Sequence, residues 1–402
     1  MHLVIFLRPL LACGALAAAA ALVVLPASGA ATADCVPVAT WVSPGPSGAQ
    51  PVAAAELLTR LARQSVVLLG EAHDNAEHHR WQLQTITVLH ALRPNMVLAF
   101  EMFPRRVQPA LERWVAGELN ETEFLAAAEW PRVWNVDAQL YLPIFHFARM
   151  NRVPMVALNV DREFTRTVNA KGFDAVPAAK REGVTRPAAP SAAYLDFLLP
   201  IYGSHDHPVR DAGKVDRNDP AFLRFVESQQ IWDRAMAQGI AAASARQPKP
   251  LVVAILGASH AARGFGVPHQ LKDLGVANVA WLLPWERGGD CSRLTAGYAD
   301  AVFGVAANGA TDDASRRPRL GVRIEPVGDS VRVQQVEKGS IAEAAGIREG
   351  DIVSAAAGVA VKEPDDLRAA VQRQAPGTWL PLRITRQGET LDIIAKFPPA
   401  AP

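Results

Sequence analysis

The sequence predicts an α/β protein whose first domain is built on a mainly parallel β-sheet with helices on both faces, followed by a second, smaller domain. Short, fully apolar segments alternate with helical segments over most of the chain, a pattern typical of a parallel sheet that is buried on both faces. The 402 residues, 50% of them hydrophobic, exceed the usual size of one domain. The composition changes after residue 284, and residues 306–317 are typical of an interdomain linker.

The alternation can be followed element by element. Strands are predicted at residues 65–69, 96–100, 154–158, 251–256 and 276–283, because each is a short apolar run. Helices are predicted at residues 78–92, 107–116, 138–150 and 221–243, where apolar residues recur at helical spacing. Two stretches, residues 171–190 and 203–220, interrupt this pattern, and long irregular segments inside a domain are often functional.

The charge balance and the cysteine count exclude several classes of protein. Lys and Arg together number 41 and Asp and Glu 40, which gives a net charge of +1. A dedicated nucleic-acid binder or a polybasic membrane-surface protein would carry a clear excess of positive charge. Three cysteines are too few for a disulfide scaffold or a cysteine-rich zinc fold.

The first 33 residues are predicted to be an export signal. A weakly basic start and a long apolar run precede the small-x-small sequence Ala31-Thr32-Ala33, which is typical of a cleavage site. We therefore expect a mature chain that begins near Asp34 and resides in the periplasm or cell envelope. Two alternatives stay open: an uncleaved membrane anchor over residues 9–33, and a lipid anchor on Cys13.

If the chain is exported, its remaining cysteines are expected to form a disulfide. Removal of Cys13 with the signal leaves Cys35 and Cys291, an even pair in a compartment where disulfides persist. We predict that these two cysteines are bridged, which would tie the start of the first domain to its end.

The candidate functional residues lie where the predicted strands end. Glu71 and His73 follow the first strand, Glu101 the second and His260 the fourth. The carboxyl ends of parallel strands share one edge of the sheet, where open α/β folds bind their ligands. Two carboxylates and two imidazoles can hold a divalent cation such as zinc or manganese, or can perform general acid/base chemistry without a metal. The sequence leaves both alternatives open.

Four short blocks stand in a specific order along the first domain. They are residues 67–74 (VLLGEAHD), 100–106 (FEMFPRR), 156–159 (VALN) and 257–260 (GASH). Together they resemble the ChaN-like haem-binding lipoproteins, which belong to a wider superfamily with the erythromycin esterases and the Tiki-type metalloproteases. The resemblance covers about residues 52–284, and residues 232–237 on the predicted long helix also resemble a feature of the superfamily.

This resemblance implies haem binding linked to iron uptake, with haem held at a homodimer interface through a tyrosine ligand. Tyr202 stands beside His205 and His207 in the second polar stretch, and both phenolate and imidazole ligate haem iron. Tyr202 is therefore the predicted iron ligand, with His205 or His207 as the second choice. An ordinary solvated loop is the alternative for this stretch.

The carboxyl-terminal segment, about residues 319–397, resembles a bacterial PDZ domain, which is a small β-rich α+β fold. Residues 319–322 (RLGV) match the carboxylate-binding loop, and residues 337–353 match the pattern that follows it. The backbone N–H groups of Leu320, Gly321 and Val322 are expected to bind a terminal carboxylate while the peptide adds a strand to the sheet. A later helix with Leu367, Ala370 and Val371 is expected to line the groove. The alternative is a PDZ fold that packs against its own chain.

The predicted organisation is a signal peptide at residues 1–33, a ChaN-like domain at 34–288, a linker at 289–317 and a PDZ domain at 318–398. The predicted function is that of an exported haem-binding protein linked to haem or iron uptake, whose PDZ domain binds a peptide or a protein carboxyl terminus. The alternative is an exported hydrolase, metal-dependent or acid/base, for which the enzymatic branches of the superfamily imply a catalytic set. Its members would be Glu71, His73, Glu101 and His260.

Overall fold

The computed structural model describes residues 34–46, 48–134, 136–204, 216–307, 318–372, 374 and 377–398. The predicted signal peptide and two candidate haem ligands, His205 and His207, lie outside these ranges. Within the ranges, no helix is both long enough and apolar enough to cross a membrane.

The first domain alternates strands and helices. Its strands are β1 (Trp41–Gly45), β2 (Gly48–Val52), β3 (Val66–Glu71), β4 (Met96–Pro104), β5 (Met155–Asn159), β6 (Leu251–Gly257), β7 (Val279–Glu286) and β8 (Ala301–Val305). Its helices are α1 (Ala54–Leu61), α2 (Ala76–Leu92), α3 (Gln108–Ala116), α4 (Glu121–Ala127), α5 (Trp130–Val133), α6 (Leu142–Met150), α7 (Arg162–Lys171), α8 (Ala192–Ser204), α9 (Pro220–Ser244) and α10 (Val267–Asp273).

The eight strands form one sheet in the order β2-β1-β8-β7-β3-β6-β4-β5. Every pairing from β8 to β5 is parallel, and only the two pairings of β1 are antiparallel. Along β3, Val67 and Leu69 join the core on one face of the sheet, whereas Val66 and Leu68 join the core on the other face. The predicted α/β fold with a sheet covered on both faces is confirmed.

One edge of the sheet differs from the prediction. The hairpin β1–β2 and the strand β8 are short and carry Gly, Pro or polar residues, so they lack the continuous apolar run by which the other strands are recognised. Because β8 pairs with β7, the first domain extends to Val305 and includes residues 289–305 of the predicted linker. Cys35 and Cys291, the predicted pair, form a disulfide with 5.9 Å between their Cα atoms, and it joins this edge to the segment after β7.

The second domain is a mainly antiparallel sheet with two short helices. Its elements are β9 (Val322–Val327), β10 (Ser330–Val336), α11 (Ile341–Ala344), β11 (Ile352–Ala356), β12 (Val359–Ala360), α12 (Pro364–Gln372), β13 (Trp379–Arg386) and β14 (Glu389–Lys396). The strand order is β14-β13-β11-β10-β9, with β12 paired to β11. The domain has an apolar core of its own around Val331, Val353 and Leu382.

Candidate functional site

The structure brings the four predicted strand-end residues together. Strand β6 lies between β3 and β4 in the sheet, so Glu71 at the end of β3, Glu101 on β4 and His260 just after β6 share one edge. His73 follows β3 by two residues. The edge strand β5 adds Asn159, whose side-chain amide donates to the backbone carbonyl of Glu101 at 3.0 Å.

Glu71 is a buried carboxylate with four side-chain partners. Its Oε1 lies 2.9 Å from His73 Nδ1 and accepts from the Tyr141 hydroxyl at 2.5 Å. Its Oε2 lies 3.3 Å from His79 Nδ1 and accepts from the Gln82 amide at 3.0 Å. Burial alone raises the pKa of Glu71, but the bond to His73 and the neighbouring imidazoles outweigh burial and lower that pKa below its usual value. Glu71 is therefore ionised at neutral pH.

Helix α2 supplies two of these partners. It begins after Asn75, whose side-chain oxygen accepts from the amide of Glu77 at 2.9 Å, an ordinary N-cap. His79 and Gln82 are three residues apart and therefore lie on the same face of the helix. Both are buried, so this part of the helix turns a polar face toward the end of β3.

His73 is the member of the set that reaches solvent. Its side chain is 37% exposed, and its ring meets the Trp134 ring edge-on with 4.6 Å between centroids. Burial lowers the pKa of His73, but the bond to Glu71 and the charge of Glu101 raise it above its usual value overall. A Cβ on Gly257 would lie 3.1 Å from His73 Cε1, so a glycine at this position lets the imidazole pass close to the strand end.

A second polar network surrounds His260, which follows β6. The Tyr194 hydroxyl donates to Asp233 Oδ2 at 2.7 Å, and Asp233 Oδ1 lies 2.7 Å from His260 Nδ1. On the opposite side of its ring, His260 Nε2 lies 3.5 Å from Glu101 Oε1. Glu101 Oε2 accepts from the backbone N–H of Gly257 at 2.6 Å. Tyr194, Asp233, His260 and Glu101 thus form a continuous buried chain.

The two carboxylates determine the charge of His260. Burial disfavours the imidazolium, but Glu101 and Asp233 outweigh burial and raise the pKa of His260 to about 9. The site therefore holds a buried cation between two carboxylates at neutral pH. Beside it lies His73, an imidazole that solvent can reach.

The set does not fit a metal centre. Among the residues that the structure describes, no group of three or more His, Cys, Asp or Glu side chains could hold a metal ion. Both oxygens of Glu71 and Oε2 of Glu101 already accept hydrogen bonds from protein donors, and His260 directs Nδ1 at Asp233. The hydrogen bond between His73 and Glu71 is of the kind that acid/base chemistry uses, and the catalytic role of the set stays a prediction.

Sequence reasoning did not assign functional roles to five partners of the set: Tyr141, His79, Gln82, Tyr194 and Asp233. For Asp233 a signal existed, because it stands within the block at residues 232–237 that resembles a superfamily feature. His79 and Gln82 could have been found as two polar residues at helical spacing in a helix expected to cover the sheet. The two tyrosines carried no comparable signal.

The predicted haem ligand Tyr202 lies in the interface between α8 and α9. Its ring packs against Phe222 and Phe225, with centroids 5.6 and 5.2 Å away, and the residue is 6% exposed. The other three tyrosines of the chain are buried as well, and two of them donate to the carboxylates described above. As folded, the described residues therefore present no exposed phenol to a porphyrin.

The predicted peptide-binding loop opens onto a groove of about 680 Å³ between β9 and α12. Gly321 has a φ of +78°, and a Cβ there would lie 2.3 Å from the Cβ of Ser340, so the loop requires glycine. Leu367 and Val371 of α12 line the groove, whereas Ala370, which was expected there too, is absent from the lining. These observations agree with a groove that takes an extended peptide.

Comparison with known proteins identifies both domains. The model of the family described as haem-binding uptake, Tiki superfamily, ChaN matches residues 57–271, and the PDZ domain model matches residues 318–396. Among solved structures, the chain is similar to a structure described as cofacial heme binding to ChaN of Campylobacter jejuni, with a TM-score of 0.51 and 17% sequence identity. The similarity covers 67% of this chain and 96% of that chain. At this identity the similarity establishes the fold alone.

Two curated relatives cover parts of the chain. A probable periplasmic serine endoprotease, DegP-like, of Chlamydia trachomatis is 34% identical over 95 residues, which is 21% of this chain. The chloroplastic protein RETICULATA-RELATED 5 of Arabidopsis thaliana is 23% identical over 226 residues, or 53% of this chain. The chain spans 19% and 30% of the lengths of these two relatives. Because the family model matches more than half of the sequence, the chain belongs to the ChaN family of haem-binding uptake proteins in the Tiki superfamily, and it carries a PDZ domain after the ChaN-like domain.

Proposed function

We propose that this chain is an exported haem-binding protein linked to haem or iron uptake, and that its PDZ domain binds the carboxyl terminus of a peptide or partner protein. The observation that carries the proposal is the family match over residues 57–271 in a chain that also has a PDZ domain. The proposed cargo is haem, and the proposed assembly is a homodimer.

Two features support export. The disulfide between Cys35 and Cys291 is of a kind that persists in oxidising compartments, and a DegP-like relative is described as periplasmic. We therefore expect the protein in the periplasm or cell envelope. Intact-mass analysis of the exported protein tests the signal peptide: a chain that begins at Asp34 supports cleavage, and a chain that keeps residues 1–33 supports an anchor.

The proposed iron ligand lies in the segment that contains Tyr202, His205 and His207. Because the Tyr202 phenol is packed between α8 and α9, the two histidines are the donors we favour. Imidazole is a common axial ligand of haem iron, and it requires no deprotonation of a buried phenol. Tyr202 contributes instead to the apolar contact that holds α8 on α9.

Haemin titration of the mature protein tests this proposal. We expect a saturable change in the Soret band, a shift of that band in the His205→Ala and His207→Ala double variant, and an unchanged band in Tyr202→Phe. Tyr298→Phe is the matched control, because Tyr298 is equally buried but lies outside the proposed segment. Absence of saturable binding would refute haem carriage, and a shift in Tyr202→Phe alone would return the ligand to the tyrosine. Sedimentation with and without haemin tests the homodimer.

A second function, an acid/base hydrolase, is favoured by one observation. His73 is partly exposed and bonded to an ionised carboxylate, and it lies beside the buried cation His260. In such a site His73 would take a proton from an attacking water, and the positive charge of His260 would stabilise negative charge that develops on the substrate. If the protein hydrolyses a panel of carboxylic esters, His73→Ala should abolish turnover and leave haemin binding unchanged. No turnover by the wild-type protein would reject this function.

A further inference from the structure

We propose that the PDZ groove selects carboxyl-terminal peptides that carry acidic side chains immediately before an apolar last residue. This inference deepens the proposed docking function and rests on it. The juxtaposition that carries it is an apolar pocket at the carboxylate-binding loop together with arginines along both walls of the groove.

The end of the groove next to the loop is apolar. Leu320 of the loop, Ile324 of β9 and the two α12 residues Leu367 and Val371 line it, and Leu320 is 4% exposed. A peptide whose terminal carboxylate binds the loop N–H groups therefore places its last side chain among aliphatic groups. An apolar last residue is favoured there, because a charged one would lose its hydration without gaining a partner.

The groove also has an excess of positive charge in its lining. Arg319 before the loop, Arg323 on β9 and Arg368 on α12 line it, whereas Glu337 is the one acidic residue in the lining. Three positive charges against one negative charge leave an excess of two. The molecule as a whole carries a net charge of +1, so this local excess does not follow from a basic composition.

The pairing of Arg368 does not remove its charge from the groove. Arg368 forms an ion pair with Asp365, one turn earlier on α12, and both side chains are largely exposed. Exposed pairs of this kind are weak. A guanidinium has five N–H donors, so Arg368 can keep this contact and still donate hydrogen bonds to a carboxylate of a bound peptide.

The topology directs a bound peptide between these arginines. Within the described residues, β9 is the edge of its sheet and pairs with β10 alone. A peptide that starts at the loop and runs antiparallel to β9 passes between this strand and α12. The residues just before its terminus therefore lie between Arg323 and Arg368. Successive side chains of an extended peptide point to opposite faces, so an acidic side chain at one of these positions is attracted by the arginine on its own side, and a basic one is repelled.

Fluorescence anisotropy with labelled octapeptides and the full chain tests the inference. Three peptides end in valine and differ at two of the three preceding positions, which hold two aspartates, two serines or two lysines. A fourth is the serine peptide with an amidated terminus. In 50 mM salt we expect the aspartate peptide to bind about three- to tenfold more tightly than the serine peptide, and the lysine peptide most weakly. In 500 mM salt the differences should largely disappear.

Charge reversal assigns the effect to the groove. Arg323→Glu combined with Arg368→Glu should remove or reverse the preference for aspartate. Arg332→Glu is the matched control, since Arg332 is an exposed arginine of β10 that does not line the groove. An equal effect of the control variant, or equal affinity for the aspartate and serine peptides, overturns the inference. If the serine peptide binds no better than its amidated form, the docking function itself fails, so the two failures can be told apart.

Discussion

Replacement of Asp233 by asparagine is expected to remove one of the two carboxylate charges that support the buried cation His260. The substitution keeps the shape of the side chain and an oxygen that can face His260 Nδ1, now 2.7 Å from Asp233 Oδ1, but it removes the negative charge. Glu101 remains on the other side of the ring, with 3.5 Å between its Oε1 and His260 Nε2. The variant therefore separates the contribution of one carboxylate from that of the other.

The magnitude follows from the distance and the burial. An opposite charge this close raises the pKa of an imidazole by about one to three pH units, so the pKa of His260, about 9 in the wild-type protein, should fall by that amount. Each pH unit corresponds to about 1.4 kcal/mol, which gives a loss of about 1–4 kcal/mol in the free energy of unfolding at pH 6. At pH 7 the variant with the lowest pKa is no longer fully protonated, so the loss is about 1–3 kcal/mol.

The loss of unfolding free energy should become smaller as pH rises. The pKa of His260 is raised on folding from its ordinary value of 6.5 to about 9, so its stabilising effect is complete below pH 6.5 and is lost as pH rises through 9. The difference in unfolding free energy between the wild type and Asp233→Asn should therefore be largest near pH 6, shrink as pH rises toward 9 and nearly vanish above pH 9.

Urea unfolding at pH 6, 7.5 and 9.5, together with an NMR titration of the histidine ring protons, measures both quantities. Asp161→Asn is the control, because Asp161 forms an ion pair with Arg106 at 2.6 Å and its side chain is 38% exposed. For this variant we expect the free energy of unfolding to fall by about 0.2–1 kcal/mol, with no change between pH 6 and 9. A wild-type His260 that titrates near 6.5, or a stability difference for Asp233→Asn that is constant with pH, would refute the reasoning.

Three further predictions concern other contacts. Gln108→Ala removes two 2.9 Å hydrogen bonds with edge strand β5, one donated to the Met155 carbonyl and one accepted from the Ala157 N–H. We expect a loss of about 1–3 kcal/mol in urea unfolding and self-association in sedimentation, because the open edge can pair with another chain. Cys291→Ser should lower the unfolding free energy by about 2–5 kcal/mol, and a wild-type protein with two free thiols after denaturation would contradict the bridge to Cys35. Gly257→Ala brings a methyl group to 3.1 Å from His73, which should cost about 1–3 kcal/mol and change the titration of His73 but not that of His260.

Those parts of the site that depend on short segments could be predicted from the sequence. Glu71, His73, Glu101 and His260 each directly follow or end an apolar strand, and a parallel sheet brings such positions to one edge whatever the intervening loops do. The same local pattern predicted the sheet itself. By contrast, β1, β2 and β8 are stabilised by pairing with strands distant in sequence, and their own residues show little strand pattern.

The partners of the site depend on how helices cross the sheet, which periodicity does not determine. Asp233 precedes His260 by 27 residues and reaches it because α9 packs across the end of β6. The Tyr202 side chain faces α9 for the same reason, so a residue that stands in a polar stretch of the sequence is buried between helices. In both cases the sequence indicates the element but not the direction in which the side chain points.

Stability does not account for the polar networks at the strand ends. Three carboxylates, those of Glu71, Glu101 and Asp233, are buried, and buried ion pairs generally stabilise a fold no better than apolar side chains of similar size. A core that served only for packing would have apolar residues here, as β3, β4 and β6 have along the rest of their length. The networks instead keep one imidazole protonated and hold the exposed His73 in a fixed orientation, two properties that packing does not require. This is the argument for a chemical role at this edge of the sheet, alongside the haem binding that the family implies.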